Sequence, residues 1–215
     1  MRIVPYGRQF IDNNDIRTVK KSLKNSIITQ GEFLGKLEQK FKHFVNSKYS
    51  IACSSGTAAI HLSLLGLKLK KEDIVIMPAV NFISSFNMVN SLGANIYLAD
   101  IDPISGQMTP QNVLECIKKN KIKKVKLIIT MYLGGEPRNI LNFYKLKKKL
   151  KCYLLEDACH ALGSEYLFKN KKIKIGSCLH SDICTFSFHP LKSITSGEGG
   201  MITTNDKKFF KKMLS

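Results

Sequence analysis

An α/β fold, a mostly parallel sheet covered by helices on both faces, follows from two features of the sequence. From Tyr49 onward, short apolar runs at 49–53, 74–77, 95–99, 126–130 and 152–156 alternate with helical patterns near 57–66, 82–91, 110–119 and 138–149. Such alternation implies crossover units, and crossover units make parallel sheets with helices on each side. The second feature is size: 215 residues, 44% hydrophobic and 23% charged, with no internal repeat or linker, suit one domain with one sizeable core.

Two helices precede the first strand. Asp12 can cap a helix over 12–24, where Ile16, Val19 and Leu23 recur at helical spacing, and Phe33, Leu37, Phe41, Phe44 and Val45 do the same over 32–45. The polar, glycine-containing stretch 25–31 between them reads as a loop, and residues 1–48 together as an N-terminal helical arm on a domain spanning 1–215. Farther on, Thr109-Pro110 offers a cap followed by proline at the first helical position. After Asp157 the pattern changes. Ser164-Glu165-Tyr166 and Ile173-Lys174-Ile175 read as a hairpin with a polar tip, residues 182–188 and 200–204 as two more strands, and Asp206 as the start of a final basic helix.

Composition sets aside several classes of function. No run approaches the roughly 18 apolar residues of a membrane span, and Met1-Arg2-Ile3-Val4-Pro5-Tyr6 lacks the apolar core of a signal peptide, so a cytoplasmic protein without a membrane partner is expected. The net charge of +18 comes mostly from lysines spread over helix faces, as in Lys145-Leu146-Lys147-Lys148-Lys149. No nucleic-acid motif interleaves them with aromatics, which predicts a solvated surface and no nucleic-acid partner, though the field favours capture of a diphosphate. The six cysteines form no C-x-x-C pair and have no histidine at metal-ligand spacing, so small buried hydrophobes are expected and no metal.

The chemistry concentrates in two stretches. Lys192 follows the apolar run Thr185-Phe186-Ser187-Phe188 and precedes the glycine cluster Gly197-Glu198-Gly199-Gly200, while Asp157 ends the apolar strand Cys152-Tyr153-Leu154-Leu155-Glu156. An amine and a strand-end carboxylate so placed are what an aldehyde cofactor of the pyridoxal phosphate type requires, the one forming a Schiff base and the other holding a proton on the pyridine nitrogen. Glu156 points the opposite way on its strand and is expected to be structural; His189 is expected to pack around the lysine loop. A phosphate needs backbone N–H donors at a helix start, and Cys53-Ser54-Ser55-Gly56-Thr57-Ala58 supplies a strand, a small polar turn and then a helix.

The run Ser187-Phe188-His189-x-x-Lys192-x-Ile194-Thr195-x-x-Glu198-Gly199-Gly200 resembles the nucleotide-sugar aminotransferases of the DegT type, a branch of the fold-type I pyridoxal phosphate enzymes. The resemblance implies that Lys192 is catalytic and that Asp157 pairs with the ring nitrogen. It further places His160 near the ring hydroxyl, Ser55, Gly56, Thr57 and Ser187 around the phosphate, and Phe82 flat on the ring, a stack adding about 1 kcal/mol beyond burial.

Thr29-Gln30-Gly31 and Ala161-Leu162-Gly163-Ser164-Glu165-Tyr166 look most like the branch that aminates a UDP-linked 4-keto sugar on the route to pseudaminic acid. That branch uses L-glutamate and makes UDP-4-amino-4,6-dideoxy-N-acetyl-β-L-altrosamine. By the same resemblance Tyr6, Ser26, Ile27, Ile28, Thr29, Gly56 and Ser187 fall where it contacts substrate, with Ser26 standing where it carries a lysine. Other amino-sugar products and a non-catalytic remnant are the alternatives. The family runs to roughly twice this length, so its small C-terminal domain, and with it part of a homodimer's shared site, is expected to lie outside this chain.

Overall fold

The computed structural model describes residues 7–215. Two helices come first, α1 (Asn13–Leu23) and α2 (Glu32–Val45). Asp12 caps α1 by accepting from the Asn14 and Asp15 amides, as its position predicted. The apolar spacing of α1 is as read, yet the helix has no buried residue and Ile16, Val19 and Leu23 are 57%, 59% and 67% exposed. By contrast α2 is anchored: Phe41 and Val45 are buried, the Ser50 hydroxyl donates to the Glu38 carbonyl (2.7 Å), and the Ala52 amide donates to Glu38 Oε1 (2.9 Å).

Strands β1 (Tyr49–Cys53), β2 (Ile74–Pro78), β3 (Asn95–Ala99), β4 (Leu127–Met131) and β5 (Tyr153–Asp157) alternate with α3 (Gly56–Gly66), α4 (Ile83–Ser91), α5 (Pro110–Lys119) and α6 (Ile140–Leu150). A two-stranded hairpin follows, β6 (Glu165–Phe168) and β7 (Lys171–Lys174), turned by Lys169 and Asn170, both at positive φ as a tight two-residue hairpin turn demands. The chain then adds β8 (Ile183–Ser187), β9 (Gly200–Thr204) and α7 (Lys207–Leu214), capped by Asp206.

The main sheet has the order β1-β9-β8-β5-β4-β2-β3 and is parallel except for β9, which runs antiparallel to both of its neighbours. Side chains alternate between two cores. Val75, Leu127, Ile129, Leu155 and Ile183 face α3 and α7 through Ile60, Leu64 and Met213, whereas Ile76, Ile128 and Leu154 face α5 and α6 through Val113 and Phe143. A third cluster joins Phe41 and Val45 of α2 to Ile140, Cys184, Phe186 and Met201. Among the described residues, no helix is long and apolar enough to cross a membrane.

Register sets the functional edge. Gly200 pairs with Cys53 on one side and Ser187 on the other, while Asp157 pairs with Met131 and Thr185. The carboxyl ends of β1, β4, β5 and β8 therefore come level, and in sheets of this kind that edge is where ligands bind.

Candidate active site

A cavity of about 1050 Å³ opens at this edge, and all eight predicted cofactor residues line it: Ser55, Gly56, Thr57, Phe82, Asp157, His160, Ser187 and Lys192. They arrive from four places, the turn after β1, the start of α4, the end of β5 and the end of β8 with its loop, so their meeting is a product of topology.

The turn after β1 is built to receive an anion. Ser55 is the N-cap of α3, its hydroxyl accepting from the Ala58 amide at 3.1 Å, which leaves the remaining amides of the first turn and the helix dipole facing the cavity. Two glycines allow the close packing here. A Cβ on Gly56 would stand 2.9 Å from Ser187 Cβ, and one on Gly200 would stand 2.3 Å from the Ser55 carbonyl oxygen. Ser187 thus abuts the turn, its hydroxyl accepting from the His189 amide at 3.3 Å.

Asp157 is only 2% exposed. Burial pushes its carboxyl above the ordinary range, against the pull of Cys159 and the Lys192 charge. One oxygen accepts from the Cys159 amide at 3.1 Å, and Asp157 belongs to none of the ion pairs among the described residues. A buried carboxylate that borders a cavity without a paired cation is the acceptor a protonated ring nitrogen needs. The residues present therefore fit a phosphorylated cationic heterocycle, with a helix start for the anion and a carboxylate for the cation.

His160 is half-buried, and burial first, then the Lys192 charge, hold its imidazole below the usual value, so it is neutral near pH 7. Lys192 is half-buried on the loop between β8 and β9, its amide donating to the His189 carbonyl at 2.9 Å. Phe82, at the N-cap of α4, is 62% exposed and borders the cavity, which excludes ordinary core packing for it. Glu156 faces away as expected, fully enclosed and accepting from the hydroxyls of Tyr132 (2.5 Å) and Ser181 (2.8 Å).

Some expectations meet a different placement. His189 is exposed and lines the cavity, and its ring stays against the lysine loop, Nδ1 accepting from the Leu191 amide at 3.3 Å. Ser26, Ile27, Ile28 and Thr29 are exposed and do not line the cavity, and Tyr6 lies outside the described residues. Ser54, Cys159 and Glu198 also line it without having been assigned a role; Ser54 and Cys159 adjoin chosen residues, and Glu198 lies in the glycine cluster after Lys192. Of the six free cysteines, four are buried, while Cys53 and Cys159 are half-buried beside the anion turn.

Residues 9–215 match the DegT/DnrJ/EryC1/StrS aminotransferase family. The chain belongs to that family. An uncharacterized protein of Methanocaldococcus jannaschii, MJ1066, is 34% identical to this DegT-family chain over 98% of its length and 52% of the relative's. Among solved structures, Helicobacter pylori PseC, an aminotransferase involved in the biosynthesis of pseudoaminic acid, shares 26% identity at a TM-score of 0.84, covering 98% of this chain and 54% of that one. GDP-4-keto-6-deoxymannose-3-dehydratase with a trapped PLP-glutamate geminal diamine shares 28% at 0.86, covering 99% and 54%. The DegT-family chain thus spans about half the length of these relatives.

Proposed function

We propose that this chain is the cofactor-binding part of a pyridoxal phosphate-dependent nucleotide-sugar aminotransferase. The observation that carries the proposal is the shared cavity, in which an amine, an unpaired buried carboxylate and a helix start face one another. Bound there, pyridoxal phosphate supplies an aldehyde that captures amines and a ring that draws electron density from the captured carbon.

The residues divide the work. Lys192 provides the amine that holds the cofactor and then carries the proton between substrate carbon and cofactor carbon. Asp157 keeps the proton on the ring nitrogen, neutral His160 hydrogen-bonds at the ring hydroxyl, and Phe82 covers the ring face. Ser55, Gly56, Thr57 and Ser187 hold the phosphate, and enclosure by these groups fixes the reacting atoms and limits water.

L-glutamate is the proposed amino donor and a UDP-linked 4-keto-6-deoxy amino sugar the acceptor, giving UDP-4-amino-4,6-dideoxy-N-acetyl-β-L-altrosamine. Support comes from the motifs Thr29-Gln30-Gly31 and Ala161–Tyr166, with Tyr6 and the 26–29 loop as proposed substrate contacts alongside Gly56 and Ser187. A cytoplasmic homodimer is the proposed working form of the whole protein, with residues 1–48 as the arm of its large domain. Intact Lys192, Asp157 and Ser187 favour an enzyme over a remnant. The test is absorbance of the purified chain titrated with pyridoxal phosphate. A visible band that Lys192→Ala abolishes supports the reading; no band with the wild-type chain overturns it.

A further inference from the structure

We propose that a groove at the amino edge of the sheet, opposite the catalytic cavity, binds a compact oligophosphate, a ligand with two or more linked phosphate groups. The inference stands apart from the pyridoxal phosphate reading, because the same strands present opposite ends to the two sites. The groove, of about 590 Å³, is lined by Ile74, Lys126 and Tyr153 where β2, β4 and β5 begin, whereas Met131 and Asp157 at the far ends of β4 and β5 line the catalytic cavity. Five lysines line the groove, Lys121, Lys123, Lys124, Lys126 and Lys151, against two carboxylates, Glu72 and Asp73. None of the five belongs to an ion pair among the described residues.

The fold gathers and holds these cations. Between α5 and β4 the chain turns inward at Ile122 and Val125, which join the core of α5 and α6. That anchoring leaves Lys121, Lys123 and Lys124 exposed on one short stretch. Lys126 Nζ sits over the Tyr153 ring, 5.3 Å from its centroid, and Lys151 comes from the cap of α6. A plainer account is that the lysines answer the negative ends of α5 and α6, which both finish here. The charges do not balance on that account. Two helix ends bring about half a negative charge each, which with Glu72 and Asp73 makes about three negative equivalents against five cations. Asp73 is also engaged elsewhere, accepting from the Lys70 amide at 2.9 Å. Like charges held together without partners repel one another, and a polyanion relieves that repulsion. Shape selects the ligand, since a hollow of this size suits a phosphate chain or a single nucleotide and not a length of nucleic-acid backbone. Tyr97 lines it as well, which puts an aromatic side chain within reach of a nucleoside.

The test is isothermal titration calorimetry of the whole chain with inorganic tripolyphosphate and with a nucleoside triphosphate. Two variants carry the same change in net charge: Lys123→Glu with Lys124→Glu in the groove, and Lys20→Glu with Lys21→Glu on the exposed surface of α1. Circular dichroism checks that both fold. Expected is binding of both ligands by the wild type, weakened about tenfold or more by the groove variant and less than about twofold by the α1 variant, with affinity falling as salt is added. Equal affinities for the two ligands assign the groove to the phosphate chain alone, and tighter binding of the nucleotide adds the nucleoside; either result supports the inference. No binding by the wild type, equal losses in the two variants, or an unchanged affinity in the groove variant overturns it. So does a short DNA duplex that binds more tightly than tripolyphosphate, which would make this edge a nucleic-acid face. Cofactor uptake enters none of these readings, so their failure leaves the proposed function standing.

Discussion

Gly56 and Ser187 approach so closely that a methyl group on Gly56 would stand 2.9 Å from Ser187 Cβ. Gly200, the register partner of both Cys53 and Ser187, makes that approach possible, since it places the strand ends side by side with no side chain between them. A methyl at 56 must therefore push apart the two elements proposed to share the phosphate. Gly56→Ala should weaken pyridoxal phosphate binding by about tenfold, or about 1.4 kcal/mol, and cost about 1–3 kcal/mol of stability from overpacking. Absorbance titration and urea unfolding measure the two; a variant with wild-type affinity would mean that the turn does not contact the cofactor.

Asp157 predicts a pH dependence of binding. Burial raises its carboxyl in the empty cavity, and a cationic ring nitrogen would draw it back down, so the cofactor binds the ionised form. Affinity should then fall as pH drops through the raised value. Asp157→Asn should lose that acid limb, and at neutral pH it should bind about thirtyfold more weakly, the cost of about 2 kcal/mol for a hydrogen bond to a charge. Equal acid limbs in the two proteins would assign the titration to another group.

Glu156 predicts a pH dependence of folding that is independent of any ligand. Burial raises its carboxyl above the ordinary 4.5, against hydrogen bonds from Tyr132 and Ser181. The folded state thus holds the proton more tightly than the unfolded chain. The group's contribution to stability is full below the ordinary value and is lost as pH rises through the folded one. Glu156→Gln does not titrate and can keep both hydrogen bonds, with its carbonyl accepting from Tyr132 and its amide donating to Ser181. Its stability relative to wild type should rise with pH across this window, by about 1.4 kcal/mol for each unit of the shift. Urea unfolding from pH 4.5 to 8 tests this, and a constant difference would place the titration elsewhere.

Local signals made most of the fold legible. Strand and helix limits follow the apolar runs to within a residue or two because packing on the sheet imposes that period, and Asp12, Thr109 and Asp206 cap the helices they were expected to cap. Asp157 and Lys192 were legible because a charged group at the end of an apolar strand stands out. Cys159 and His189 were not, since their presence in the cavity depends on register between strands far apart in sequence. The exposed stripe of α1 shows another limit. Periodicity reports that a helix has an apolar face, but not what covers it.

Phe41 links α2 to the site, and it yields the last prediction. Its ring lies 5.0 Å from that of Phe186, edge-on, and 5.8 Å from that of Phe188, the two residues that flank Ser187. Those rings point away from the cavity and lock β8 from behind, so the direction of the Ser187 hydroxyl depends on a side chain more than 140 residues upstream. Phe41→Ala should leave a void in this cluster and cost about 3–5 kcal/mol. The folded fraction should also bind pyridoxal phosphate more weakly, because Ser187 gains freedom while the turn at 55–57 does not. Phe41→Leu should cost less in both respects by keeping most of the volume. Denaturant unfolding alongside cofactor titration separates the two effects. A loss of stability with affinity unchanged would show that α2 supports the fold without aligning the site.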